Sequence, residues 1–297
     1  MTTPSTPPTP QAAYQQQAPQ QPVAPQPYAQ GPQTGFYASP IPVRPATLAD
    51  AIASEWTKIR SVRSTMWTLG VMIALLLLIG VLSAVAVSAS DSDMGGTPVL
   101  SLGFFGVLLG SICVITLGVM TIASEYGTGM IRTTLTACPS RGRVLAAKAV
   151  VFFLLTFVLT TVMTTIVALL QTSILDAAAP SGKEWLSSTV GVGLYIATLG
   201  LLSLAVGALI RHSAGAITIM IGVVLLPLVL AIFMFADSLR SLQKWLLEYS
   251  IPNQLSIFYD NSVSTSGPSG WDPLWIMLGV TAVALGGAFL AMNNRDV

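Results

Sequence analysis

Charged side chains are scarce in this sequence, so where they sit says most about its chemistry. The stretch 125–148, EYGTGMIRTTLTACPSRGRVLAAK, holds Glu125 and four of the chain's thirteen Lys and Arg residues: Arg132, Arg141, Arg143 and Lys148. It lies between two long apolar runs. Tyr126 suits the headgroup level of a bilayer. Gly127 and Gly129 loosen the backbone, and Pro139 ends any helix that begins near residue 128. A polar, cationic stretch between two membrane spans usually faces the cytoplasm. There a soluble partner can push on the membrane part. A second charged segment, 46–64 (ATLADAIASEWTKIRSVRS), precedes the first apolar run. Leu48, Ile52, Trp56 and Ile59 recur at helical spacing, and Asp50, Glu55, Lys58, Arg60 and Arg63 take much of the other face. Thr47 with Asp50 three residues on is an N-cap pair. The pattern predicts an amphipathic helix in the membrane interface, with Trp56 at headgroup depth and the basic residues toward anionic lipid.

Other chemistries leave no trace. There is no GxxxxGK[ST] phosphate loop and no HExxH, CxxC or Ser/His/Asp constellation. The single His212 has no second His and no Cys or carboxylate cluster beside it, so a metal site is not expected. Cys113 and Cys138 fall at different membrane depths, which argues against a disulfide. The net charge of +1 gives no nucleic-acid signal.

The elements that must position these groups are membrane helices. Hydrophobic residues make up 53 % of the chain and charged ones 8 %, against roughly 25 % charged in soluble domains. The mean hydropathy is +0.73. Residues 1–45 carry twelve Pro, nine Gln and no charge before Arg44. Such a segment buries too little to offset its ordering entropy, so a disordered cytoplasmic tail is expected. Six segments reach the about 20 residues a span requires: about 66–87, 99–123, 144–170, 190–210, 214–236 and 273–292. Lys148 is the one charged residue among them, near an end, and Pro227 is expected to kink the fifth. Placing the N-terminus in the cytoplasm puts ten Lys and Arg residues inside and three outside (Lys183, Arg240 and Lys244), a decisive bias for short connectors. The fold class is thus an all-α polytopic membrane protein with six transmembrane helices, an amphipathic N-terminal helix and both termini cytoplasmic. The long outer connector 237–271 opens on a segment where Leu239, Leu242, Trp245, Leu246 and Tyr249 share a helical face. It either rests on lipid or caps a pathway, and Pro252 breaks it. Gly103, Gly106 and Gly110, Gly200 and Gly207, and Gly279 and Gly286 stand at helix-packing spacing.

Together these features resemble the ABC-2 type transporter permeases, in particular the small actinobacterial ones. The likeness covers 46–297: the amphipathic lead-in SEWTKIRSVRSTMW, six spans, the long outer loop, and above all the run with Glu125, Gly127, Arg132, Thr134, Leu135, Pro139 and Arg141. Gly129 is extra to the family's loop. The resemblance implies a permease without its own nucleotide site and not itself an enzyme. ATP and Mg would be used by a separate ABC ATPase subunit, and a second permease copy or paralogue would complete a dimer in the plasma membrane. Loop 125–143 would be the coupling element seated on the ATPase, with Arg132 and Arg141 meeting its acidic groups or helix C-termini. Glu125 would pair with Lys58 or Arg63 of the lead-in helix. The second and fifth spans would face the pathway, where Phe104, Phe105, Phe233 and Met234 give an apolar lining suited to a lipophilic or amphipathic export substrate. The competing class is a membrane sensor or anchor that docks a cytoplasmic signalling partner through the same face; a co-purifying ATPase separates the two.

Overall fold

The computed structural model of the protein describes residues 45–90, 96–176, 179–262 and 266–294. The expected tail, as far as residue 44, and Arg295 lie outside them. Every regular element among the described residues is helical. Helix α1 (Leu48–Ser61) starts at the expected capping box of Thr47 and Asp50. It breaks at Val62, and α2 (Arg63–Ala89) follows as the first span. A 3₁₀ turn, Val99–Gly103, leads into α3 (Phe104–Gly127). The short α4 (Met130–Ala137) comes next, then α5 (Arg141–Ile174). Helix α6 (Gly182–Leu186) runs through a π-helical turn, Ser187–Gly191, into α7 (Val192–Ile210). Helix α8 (Ser213–Ile232), α9 (Arg240–Glu248), α10 (Ile251–Ile257) and α11 (Asp272–Asn294) complete the order.

Six helical stretches are long and apolar enough to span a membrane, in the expected order. Two differ from the expected bounds in ways that matter. Helix α5 has 34 residues, roughly 50 Å at 1.5 Å per residue. It outruns a hydrocarbon core of about 30 Å, so its first turn, with Arg141 and Arg143, stands clear at one end. Helix α8 ends at Ile232, four residues before the expected 236. Pro227 stands inside it without ending it.

Helix α7 is the hub. It packs on α3, α5, α8 and α11, and 72 % of its most apolar window is buried. Its packing rests on glycines. A Cβ on Gly118 of α3 would lie 2.5 Å from the Gly200 carbonyl oxygen, and one on Gly207 would lie 3.0 Å from that of Val119. Small residues let helix backbones meet where lipid supplies no hydrophobic drive. The α7–α8 turn is tight: Arg211 takes a positive φ of 57°, and the His212 imidazole caps α8 by accepting from the Gly215 N–H at 3.1 Å.

Candidate functional site: a buried charge cluster behind an exposed helix

The charged residues converge at one end of the bundle. Glu55 of α1, Glu125 near the end of α3 and Lys148 in the third turn of α5 meet Lys58 of α1 in one group. The Lys58 ammonium lies 2.8 Å from a Glu55 oxygen and 2.8 Å from Glu125 Oε1. The Lys148 ammonium lies 2.9 Å from Glu55 Oε2 and 2.7 Å from Glu125 Oε1, and it also donates to the Thr121 carbonyl at 3.1 Å. Two positive and two negative charges therefore cancel. Lys148 is fully buried and both carboxylate side chains are 7 % exposed, whereas Lys58 keeps 31 % of its side chain accessible. Burying ions is tolerable only when they are paired and hydrogen-bonded. Burial pulls the Lys58 pKa down, but its hydrogen bonds and attraction to Glu125 and Glu55 outweigh that, so the net direction is upward.

The cluster reaches α4 through Thr134, which donates to Glu125 Oε2 at 3.3 Å and accepts from Lys58 at 3.4 Å. Helix α4 starts where Gly129 turns the chain at φ 73°, a conformation that favours glycine. It ends at Cys138, extended as residues before proline tend to be, with Pro139 beyond. Ile131 is its buried anchor, and Arg132, Thr133, Thr136 and Ala137 face outward. Three helices thus meet at one set of ionic contacts, and a fourth, α4, joins them through a hydroxyl while presenting Arg132 on its exposed side.

Other basic residues brace the same end. The Arg141 guanidinium donates to the Met292 carbonyl near the end of α11, and Arg143 donates to the Ala46 carbonyl ahead of α1. Arg211 lies 4.7 Å from the centre of the Tyr126 ring, a cation–π contact.

Of the expected site residues, Glu125 meets Lys58, while Arg63 starts α2 instead. Glu55 and Lys148 complete the group. Arg132 is exposed on α4 and Pro139 just past it, Gly127 is exposed at the end of α3, and Arg141 is engaged within the protomer. The lead-in helix differs from a helix merely resting on lipid. Its protein-facing stripe is Glu55 and Ile59 with Lys58 at the edge, while Leu48 and Trp56 are 43 % and 44 % exposed. Phe104 and Phe105 open α3. The first packs on the core and lies 6.4 Å from the Tyr259 ring, and the second is exposed. Phe233 and Met234 lie past the end of α8, at the opposite end from α4, with Phe233 exposed.

A bundle of six helices long and apolar enough to span a membrane, with an amphipathic helix at one end, is the architecture of a multi-pass membrane protein. Residues 51–233 match the model of the ABC-2 family transporter proteins. That is more than half of the chain, and the protein belongs to that family, as an ABC transporter permease. No curated protein matches the chain.

Proposed function

We propose that this permease is the membrane half of an ATP-driven exporter and that α4 is the element through which a separate ABC ATPase drives it. The charge cluster carries the reading. A push on α4 reaches α1, α3 and α5 through Thr134, Glu125, Lys58 and Lys148, without passing through a flexible linker. Arg132, outward on α4, is the group that meets the ATPase; a guanidinium suits acidic side chains or helix C-termini. ATP and Mg belong to that subunit, because this sequence has no phosphate-binding loop. A second copy or paralogue completes the transporter. The glycine pair of the sixth span supports this: Gly279 and Gly286 of α11 have nothing within 4 Å of an added Cβ, so that face has room for another helix. The cargo is lipophilic or amphipathic, supported by the uncovered rings of Phe105 and Phe233.

The test is affinity purification in mild detergent, followed by assay of bound ATPase activity, with Arg132→Glu beside the wild type. The expected result is an ATPase that accompanies the wild type and is lost from a variant that still inserts and purifies normally. An ATPase retained in full by Arg132→Glu removes α4 as the docking element. No ATPase with either protein removes the ATP-driven reading.

A further inference from the structure

At the end opposite α4, a cavity of about 330 Å³ opens between the 3₁₀ turn before α3, the π-helical turn before α7 and the residues that follow α10. That is the lower end of the size range of small-molecule sites. Phe258 and Tyr259 and the serines of the π-turn, Ser187 and Ser188, line it, and its charged residues are Glu184 and Asp260. Among the described residues no basic side chain lines it: Lys183, next to Glu184 in the chain, is exposed and outside the wall. Behind the cavity, and sharing Ser188 and Tyr259 with it, lies a recess of about 10 Å³ between α2, α3 and α5, the room of one water-sized group. Gly103 leaves this recess open. A Cβ there would lie 3.6 Å from the Tyr259 hydroxyl and 3.8 Å from both polar atoms of the Gln171 amide. Gln171 is 1 % exposed. Its nitrogen donates to the Gly80 carbonyl at 2.9 Å, but its oxygen has no hydrogen-bond partner among the described residues. Ser188 and Thr164 already donate, at 2.6 Å to the Glu184 carbonyl and 2.9 Å to the Thr160 carbonyl, so what remains to them is accepting capacity. A buried acceptor without a donor is costly. The recess therefore calls for a donor, and the acidic, aromatic cavity in front of it for a cation.

We infer that this cavity binds a small organic ammonium ion that carries a hydroxyl or N–H at its other end. The ammonium sits against Glu184 and Asp260, and the body of the ligand against Phe258 and Tyr259, whose rings also attract a cation. The far donor reaches the Gln171 oxygen in the recess. A π-turn in the wall fits this role, since such turns recur at functional sites. The site belongs to one protomer and requires no ATPase, so its failure leaves the proposed coupling role standing.

The probes are tyramine, phenethylamine, which lacks the phenolic hydroxyl, and para-hydroxyphenylacetate, which has a carboxylate in place of the ammonium. Each is titrated calorimetrically into the full chain in phosphatidylcholine nanodiscs, with empty nanodiscs as the blank. The expected result is saturable binding of tyramine, binding of phenethylamine about tenfold weaker, the scale of one hydrogen bond to a buried acceptor, and no binding of the carboxylate. Gly103→Ala puts a methyl into the recess at ordinary contact distances and leaves every polar side chain in place. It should bring tyramine down to the level of phenethylamine and leave phenethylamine unchanged. Glu184→Gln keeps the capping box of α6 and should weaken both amines alike. Equal affinity for the two amines in the wild type would mean that water alone serves Gln171, and it overturns the inference. So does undiminished tyramine binding in Gly103→Ala, binding of the carboxylate as tight as that of tyramine, or no saturable binding of tyramine.

Discussion

Lys148 has its whole side chain out of water, and the two carboxylates it touches are nearly as buried. Desolvating an ion costs several kcal/mol even after relaxation, so removing one partner of a buried pair leaves the other with a large uncompensated penalty. Lys148→Met should destabilise the protein by about 3–5 kcal/mol, because Glu55 and Glu125 are then left adjacent with Lys58 alone between them. Adding Glu125→Gln should recover part of that loss, a non-additivity that a double-mutant cycle in detergent unfolding will read. An unchanged unfolding midpoint in Lys148→Met alone would contradict a structural role for the cluster. Lys58 adds a pH dependence of known sign. Its folded pKa lies above the ordinary 10.5. Its contribution is therefore fully present below about 10.5 and is lost as pH rises through the higher folded value. Stability scans should show an alkaline loss in the wild type that shrinks in Lys58→Met; equal alkaline slopes would remove Lys58 from that account. The family resemblance led to a pairing of Glu125 with Lys58 or Arg63, and the structure selects Lys58. Glu55 and Lys148 were not legible as partners. They are 93 positions apart, and helical periodicity assigns Glu55 to the polar face although the structure turns it inward to Lys148.

At the scale of elements, the glycines show what spacing conveys and what it omits. Spacing identified Gly200 and Gly207 as a packing face, and both meet neighbouring side chains or backbone closely. Spacing alone could not separate them from Gly279 and Gly286, which meet nothing in the protomer, nor pick out Gly118, whose neighbour is the Gly200 carbonyl. That distinction depends on which helices touch. Gly118→Ala should destabilise by about 1–3 kcal/mol, because a backbone oxygen 2.5 Å away has no rotamer through which to yield. In the isolated protomer, Gly279→Ala should be neutral or stabilising by up to about 1 kcal/mol, through helix propensity. Thermal midpoints of the two variants, measured side by side, check the contrast, and equal shifts would refute the close α3–α7 approach. The long connector after α8 shows the same limit. Its amphipathic start forms α9, with Leu242 and Trp245 left uncovered. Pro252, expected as a breaker, instead stands in the first turn of α10, where its missing N–H costs nothing. All seven residues of α10 are buried. Composition hides this, because Asn253 and Gln254 read as loop residues. Each donates to a backbone carbonyl of the preceding turn, at 3.0 Å to Glu248 and 2.8 Å to Tyr249, and Tyr195 donates to the Gln254 oxygen at 3.3 Å. Satisfied in this way, their amides can be buried.

For the whole molecule, the six spans and their order were legible because lipid demands long apolar helices with internally satisfied backbones. The two ends of the bundle also differ in charge. Lys58, Arg60, Arg63, Arg132, Arg141, Arg143, Lys148 and Arg211 gather on the elements at the α4 end, and Lys183, Arg240 and Lys244 on those at the other. Eight against three is the kind of bias from which the positive-inside rule predicts an orientation. The α4 end is expected in the cytoplasm, which is also where ATP is. Single cysteines in a Cys113→Ser, Cys138→Ser background test this directly. Thr136 of α4 and Lys183 at the start of α6 are both exposed, so Thr136→Cys and Lys183→Cys should react without disturbing the packing. In intact cells a membrane-impermeant maleimide should label Lys183→Cys and spare Thr136→Cys, which becomes reactive only after permeabilisation. The reverse pattern would place α4 where no nucleotide is available. It would remove the ATPase from that surface and leave the buried charge cluster as a brace for the bundle and for nothing outside it.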